Sequence, residues 1–228
     1  MQNIIISGAS GNLGQEVVQK LSALDTHLFV TTGSHYKGEF DALSGVDNFG
    51  IDLLDSDASH SFVQKVIDQA ETIHAGVFLV GGYAPGGLAE TDDEDLEKMI
   101  HLNFFTAFHL TKPLIAHFKK QGGGQLIFIG AKGAVSSNQG DANFAYTLSK
   151  SLLVKMADMI NSEYESEGIT ATMIVPGIID TPVNREAMPD ADFDKWVPPT
   201  DIAESIAFVL SETGQKLRQP VIKIYNQS

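Results

Sequence analysis

Asn3-Ile-Ile-Ile-Ser7-Gly8-Ala-Ser10-Gly11-Asn12-Leu13-Gly14 is the stretch that decides the fold of this chain. The isoleucine run reads as a buried strand, glycines stand at 8, 11 and 14, and helical spacing begins at Leu13 and carries on to Leu24. Glycine here permits a tight turn and lets the backbone approach a pyrophosphate. The helix that follows offers free N–H groups and the positive end of its dipole. Gly8, Ser10, Gly11, Asn12, Leu13 and Gly14 are therefore read as dinucleotide-binding residues.

Beyond this unit the chain alternates short β-like runs with helix-length segments. Strands are expected at 27–32, 49–52, 77–80, 125–130, 170–175 and about 220–225. Helices are expected at 13–24, 56–71, 92–118, 142–167 and 200–210. Such alternation predicts an α/β chain: a Rossmann-type, doubly wound parallel sheet of about seven strands with helices on both faces. No repeat, low-complexity tract or linker interrupts it, so residues 1–228 are expected to form a single domain. The loop-rich segment 176–199 is placed to act as a substrate lid, with Met188, Phe193 and Trp196 as an apolar wall or as pins of a surface loop.

Composition narrows the function. With 228 residues and 43% hydrophobic content, the chain can bury a sizeable core, and a formal net charge of −14 disfavours nucleic acid or an anionic membrane as partner. The absence of cysteine excludes disulfides and thiolate chemistry and suits the cytoplasm. The first residues run straight into a strand, so neither a signal peptide nor a membrane span is expected. Seven histidines, none three or four residues apart, give no helical metal site, and the acidic run Asp92 to Asp95 suits a helix start.

Ends of strands carry ligands in open parallel sheets. After the second strand the chain reads Val30-Thr-Thr32-Gly-Ser34-His35-Tyr-Lys37, with no carboxylate to bind ribose hydroxyls. Thr32, Ser34, His35 and Lys37 can instead meet a 2′-phosphate, which favours NADP over NAD. Asp52 and Leu53 follow the third strand, placed for an adenine, and Gly81-Gly82 follow the fourth, where the backbone can run close beside the cofactor.

In Tyr146-Thr-Leu-Ser-Lys150 the tyrosine and lysine leave one helix face a turn apart. Apolar residues at Leu148, Leu152, Leu153, Met156, Met159 and Ile160 support the helix, and Gly168 is a plausible stop. Such a pair often marks only a solvated face. Beside a dinucleotide site it reads as an acid: bringing a phenol from pH ~10 to neutrality asks about 4 kcal/mol of neighbouring positive charge. Lys150 together with an oxidised nicotinamide can supply it.

The glycine loop, Asp52, Asn103, the Tyr146/Lys150 pair and Pro176-Gly177 followed by Thr181 occur in the order and spacing of the short-chain dehydrogenase/reductase family, which the chain resembles over most of its length. The resemblance implies that Tyr146 donates or accepts the proton. It implies that Lys150 holds the nicotinamide ribose and lowers the tyrosine pKa, that Asn103 positions a relay water, and that Thr181 contacts the nicotinamide end. It also implies a homodimer or homotetramer, with Phe104, Phe105 and Phe108 at the interface or in the core.

Departures from that pattern are informative. Asn12 stands where the family usually has glycine, and Gly81-Gly82-Tyr83-Ala84 replaces its Asn-Asn-Ala-Gly. The family's serine, thirteen residues before the tyrosine, falls on Gly133, or on Ala131 if the loop is two residues longer; Ser136 or Ser137 could stand in only from an inward-folded turn. Dihydropteridine reductases lack that serine and carry a glycine pair. Gly130-Ala-Lys-Gly-Ala134 and Asp180 to Trp196 resemble theirs, although those reductases prefer NADH. The expectation is an NAD(P)H-dependent reductase of a small planar acceptor, with a carbonyl reductase or a dinucleotide sensor as alternatives.

Overall fold

The computed structural model describes residues 1–33, 38, 40–136, 143–218 and 221–227. Ser34, His35, Lys37 and Ser137, named above, lie outside them. Seven strands form one sheet: β1 (Gln2–Ser7), β2 (Thr26–Thr32), β3 (Val46–Gly50), β4 (Ala75–Phe78), β5 (Gly124–Ile129), β6 (Ile169–Pro176) and β7 (Val221–Ile224). Their order is β3-β2-β1-β4-β5-β6-β7, and every neighbouring pair is parallel. The chain leaves β1 towards β2 on one side and returns to β4 on the other. That reversal is the switch point at which open α/β sheets bind ligands.

The isoleucine run of β1 shows why the strands lack polar alternation. Ile5 joins the cluster holding Phe62, Val63 and Val66 of α2 (Ser56–Ala70), Leu110, Leu114 and Phe118 of α4 (Thr106–Gln121), and Leu153, Ala157 and Ile160 of α6 (Phe144–Glu163). Its neighbours Ile4 and Ile6 point the other way, towards Val17, Val18 and Leu21 of α1 (Asn12–Ser22) and Ile202, Ile206 and Val209 of α8 (Pro199–Leu210). Both sheet faces are covered, so each residue of the isoleucine run Ile4–Ile6 is apolar. The remaining helices are α3 (Asp93–Ile100), α5 (Lys132–Val135) and α7 (Pro182–Ala187). Among the described residues no helix is long and apolar enough to cross a membrane.

Besides β3 and β4, which begin three and two residues earlier than the expected 49–52 and 77–80, three segments differ from the sequence reading. The long helix expected at 92–118 is α3 and α4 joined by a π-helical turn over His101–Phe105, with Asn103 at its centre. A π turn keeps the helical direction, so the apolar spacing did not reveal it. Helix α6 ends at Glu163, where a 3-10 turn over Glu165–Glu167 leads to Gly168 in the left-handed conformation. Of its expected apolar stripe, Leu153 and Ile160 are buried but Leu148 and Met159 are exposed; the buried face instead includes Ala145, Ser149, Lys150 and Ala157. The loop-rich segment 176–199 contains α7 and a short turn at Phe193–Lys195.

Candidate active site

The three glycines of the first turn do different work. Gly8 has φ +72°, and a Cβ there would lie 2.9 Å from the amide nitrogen of Val80, so the loop presses against the chain leaving β4. A Cβ at Gly14 would lie 2.2 Å from the Gly8 carbonyl oxygen and 2.6 Å from that of Ala9. Gly14 therefore sets how closely α1 packs on the loop. Gly11 is exposed, and the nearest atom to its Cβ position is 3.4 Å away. Nothing in the protein demands glycine at 11, which leaves approach by an outside group as its use. Gly11 is the N-cap of α1, which has no side-chain cap and no acid in its first turn, whereas α2 and α3 are capped by Asp55 and Asp92. An uncapped, acid-free N-terminus behind an open glycine fits a dinucleotide pyrophosphate. Asn12 is exposed and Leu13 half-buried on the same turn.

The rim follows from the strand ends. Ser10 accepts a 3.4 Å hydrogen bond at its hydroxyl from the Gly33 N–H, tying the loop to the end of β2. Thr32 is buried and its hydroxyl donates to Asn48 Oδ1 at 2.8 Å, so this member of the expected phosphate-binding group is engaged with β3. Asp52 is exposed just past β3 and accepts the Leu54 N–H at 2.9 Å, while Leu53 is buried beneath it.

Tyr146 and Lys150 lie in the first two turns of α6. Lys150 is 5% exposed, and its Nζ donates at 2.9 Å to the carbonyl oxygen of Ile129, the last residue of β5. Burial pulls its pKa down to about 8. The half-buried Tyr146 is pushed up to about 12, chiefly by desolvation and further by Tyr83, whose ring meets it edge-on with centroids 5.2 Å apart. The chain's own groups thus raise the phenol. The lowering expected from positive charge is not supplied by Lys150 alone, because desolvation of the phenol outweighs it.

Asn103 is fully buried and its side chain serves the glycine pair. Its Oδ1 accepts the Gly82 N–H at 2.8 Å, and its Nδ2 donates to the Gly82 carbonyl at 3.1 Å and to Ser149 Oγ at 2.9 Å. A Cβ at Gly81 would stand 2.7 Å from Asn103 Oδ1 and 3.0 Å from Lys150 Nζ. Glycine at 81 lets the asparagine and the lysine flank the backbone. Sequence reasoning missed Tyr83 and Ser149. A large aromatic directly after a glycine pair was the available signal for the first, and for the second there was none.

In the turn after β5 the described residues at the expected serine position carry no hydroxyl, while Ser137 lies outside them. Ala131, 6% exposed, is the N-cap of α5, Gly133 lies within that helix, and Ser136 follows it half-buried. Pro176 ends β6 buried, and the Gly177 N–H donates to the Ile224 carbonyl at 2.8 Å. Thr181 is the N-cap of α7, accepting the Asn184 N–H at 3.2 Å and keeping its own hydroxyl hydrogen to donate. Of the three apolar residues in the segment after β6, Trp196 is 3% exposed, Phe193 packs on it at 4.8 Å, and Met188 is half-buried. Arg185 lies over the Phe193 ring at 4.7 Å and forms a forked ion pair with Asp180 at 2.6 and 2.7 Å. Concavities of about 600 Å³ beside β3 (Phe40, Asn48, Phe49, Lys65) and about 230 Å³ at the amino end of the sheet (His74, Gln121, Thr170, Arg218) lie away from this site.

Comparison with known proteins agrees with this geometry. Residues 2–192 match the family described as short chain dehydrogenase. The 3-oxoacyl-[acyl-carrier-protein] reductase FabG of Rickettsia felis is 27% identical over 93% of this chain and 92% of its own. The dihydropteridine reductase of Dictyostelium discoideum is 28% identical over 90% of this chain and 86% of its own. Among solved structures, a short-chain type dehydrogenase/reductase from Mycobacterium ulcerans superposes with a TM-score of 0.90 at 20% identity, covering 99% of this chain and 89% of that one. ElxO with NADP bound superposes at 0.88 and 19% identity, covering 98% and 96%. A family match spanning most of the chain, on a seven-stranded parallel sheet with a tyrosine–lysine pair, leads to one assignment: the chain belongs to the short chain dehydrogenase family of nicotinamide-dependent oxidoreductases.

Proposed function

We propose that this protein is an NADPH-dependent reductase that transfers hydride to a small planar, electron-poor acceptor, a quinonoid dihydropterin before a simple carbonyl compound. The observation that carries this reading is the turn at Gly130 to Ala134. It offers no hydroxyl where the family has serine, while Tyr146 and the buried Lys150 stand one helical turn apart beside it. A quinonoid ring needs less polarisation than a ketone, so the loss of that donor is tolerable.

The bound nicotinamide supplies the hydride. Gly11, Asn12, Leu13 and Gly14 present the backbone of α1 to the pyrophosphate, with Gly8 and Ser10 shaping the turn. Asp52 and Leu53 border the adenine, and Gly81, Gly82, Pro176, Gly177 and Thr181 border the nicotinamide end. Lys150, anchored on Ile129, directs its ammonium towards the nicotinamide ribose. Tyr146 delivers the proton from its phenol to the reduced acceptor. Asn103 fixes the Gly82 backbone, and so the ribbon between Lys150 and the acceptor. The segment 176–199 closes over the substrate and excludes water. The whole chain acts as one unit, in the cytoplasm, as a homodimer or homotetramer. Phe104 and Phe105 of the π turn, with the exposed Phe108 of α4 and Leu148 and Met159 of α6, suit a paired face.

Likeness to the Rickettsia felis 3-oxoacyl reductase favours a second reading, reduction of a small carbonyl compound. The deciding experiment is NADPH and NADH oxidation with quinonoid dihydropterin beside a panel of ketones and aldehydes, using the native chain and Tyr146→Phe. Pterin turnover that collapses in the variant is the expected result. Ketone turnover alone selects the carbonyl reductase, and tight NADPH binding with no turnover of any acceptor points to a dinucleotide sensor.

A further inference from the structure

Ser149 lies between Leu148, which is exposed, and Lys150, and is itself completely buried. Its hydroxyl donates at 2.7 Å to the Tyr146 carbonyl, one turn back in α6, and accepts from Asn103 Nδ2 at 2.9 Å. Asn103 grips both polar atoms of the Gly82 backbone. The next residue, Tyr83, returns to the Tyr146 ring, 5.2 Å between centroids. These contacts close a circuit that leaves Tyr146 by its carbonyl and comes back to it by its phenol ring. We propose that Ser149 is a positioning residue, whose hydroxyl couples the Gly81–Gly82 ribbon to the tyrosine helix and thereby fixes the Tyr146 phenol relative to Lys150.

The buried joints of the circuit are constrained, while Tyr83, 62% exposed, closes it from the surface. A serine hydroxyl bonded to the carbonyl one turn back shares that acceptor with the helix ladder and bends the helix locally. Asn103 has used its oxygen and one hydrogen on Gly82, so its other hydrogen goes to Ser149 Oγ at 2.9 Å, with only the weak acceptor Met99 Sδ, 3.7 Å away, as an alternative. Gly81 permits no slack, since a Cβ there would touch both Asn103 Oδ1 and Lys150 Nζ. A buried network of this kind specifies one arrangement only while every member is satisfied. Ser149 is the member through which α6 joins it, and it does so without bordering the acceptor or the dinucleotide.

This inference rests on Tyr146 being the proton donor, and its test separates the two. Ser149→Ala, Ser149→Thr and the native chain are compared for NADPH affinity, for kcat and KM with the best acceptor of the panel, and for amide hydrogen exchange at Gly82. In Ser149→Ala, exchange at the Gly82 amide is expected to rise about tenfold and kcat to fall about tenfold, with NADPH affinity held within about twofold. Ser149→Thr, whose hydroxyl can bond the same carbonyl, is expected to restore both. Native exchange at Gly82 in Ser149→Ala, or a kcat unchanged while only thermal stability drops, overturns the proposal. If Ser149→Ala does not fold, Ser149→Cys keeps the volume with a weaker donor; it must show both changes in smaller measure, and native behaviour overturns the proposal equally. If the native chain binds NADPH and reduces nothing, the reading of Tyr146 falls. The coupling is then decided by the Gly82 exchange alone, faster exchange supporting it and native exchange overturning it.

Discussion

Lys150 Nζ donates its hydrogen bond to the main-chain oxygen of Ile129, at 2.9 Å, from a position 5% exposed. A buried ammonium held by one neutral carbonyl is under electrostatic strain, and its pKa falls from 10.5 to about 8. That strain keeps a cation poised beside the Gly81–Gly82 ribbon. It also has a measurable cost to the fold.

Lys150→Met is therefore expected to abolish turnover and to stabilise the protein. The shift from 10.5 to about 8 corresponds to roughly 3 kcal/mol, of which losing the Ile129 hydrogen bond cancels about 1. Below the native pKa both folded and unfolded chains hold the proton, so the cost is fully present at pH 7. It is relieved as pH rises from about 8 to 10.5, where the folded chain releases the proton first. Thermal melts should place the variant a few degrees above native at pH 7, with the gap closing towards pH 10.5. A variant less stable than native at pH 7, or a gap that widens with pH, would contradict this account.

Tyr146→Phe isolates the phenol. Phenylalanine keeps the ring that packs edge-on against Tyr83, so the fold and NADPH affinity should be unchanged within about twofold. Loss of a positioned proton donor should lower kcat by about 10² to 10⁴. Steady-state rates beside a fluorescence titration of NADPH check both halves. Equal losses in kcat and cofactor affinity would show that the hydroxyl holds the cofactor rather than delivering the proton.

The glycine loop allows a paired test. Gly14→Ala places a methyl 2.2 Å from the Gly8 oxygen, within rigid backbone, and should cost at least about 2 kcal/mol of stability. Gly11→Ala meets nothing nearer than 3.4 Å, so its melting temperature should stay near native while NADPH affinity drops tenfold or more, about 1.4 kcal/mol. Calorimetry and cofactor titration on the two variants should give opposite patterns. If Gly11→Ala binds NADPH normally, the pyrophosphate does not approach there.

How far the sequence could be read depends on how local each signal is. The parallel sheet was legible because apolar runs and glycine punctuation act within a few residues, and Ile4, Ile5 and Ile6 divide between the two covered faces. The Tyr146/Lys150 pair was legible because helix geometry alone sets their spacing. The Asn103–Ser149 bond joins residues 46 apart in sequence, and no local pattern announces it. The π turn at His101–Phe105 left the apolar rhythm intact. Burial of Lys150 was equally invisible, as was the desolvation by which the chain's own groups raise Tyr146 to about 12 before any nicotinamide charge acts on it.

Gly33 offers control over the cofactor. It follows the last residue of β2, is exposed, has no atom of the described residues within 4 Å of its Cβ position, and donates its N–H to Ser10 of the glycine loop. A side chain there meets open space beside the dinucleotide turn, at the strand end where a carboxylate binds ribose hydroxyls and repels a 2′-phosphate. The position immediately after β2 is Gly33 itself rather than an acid, and Thr32 before it is already bonded to Asn48. Gly33→Asp should keep the native melting temperature, weaken NADPH about tenfold or more, and leave NADH unchanged or tighter. The NADPH penalty should shrink with added salt, since it is a repulsion between two exposed charges. Titration of both cofactors at low and high ionic strength reads this directly. Equal weakening of NADPH and NADH, independent of salt, would mean that the substitution disturbs the loop rather than the phosphate, and the preference for NADP would need another origin.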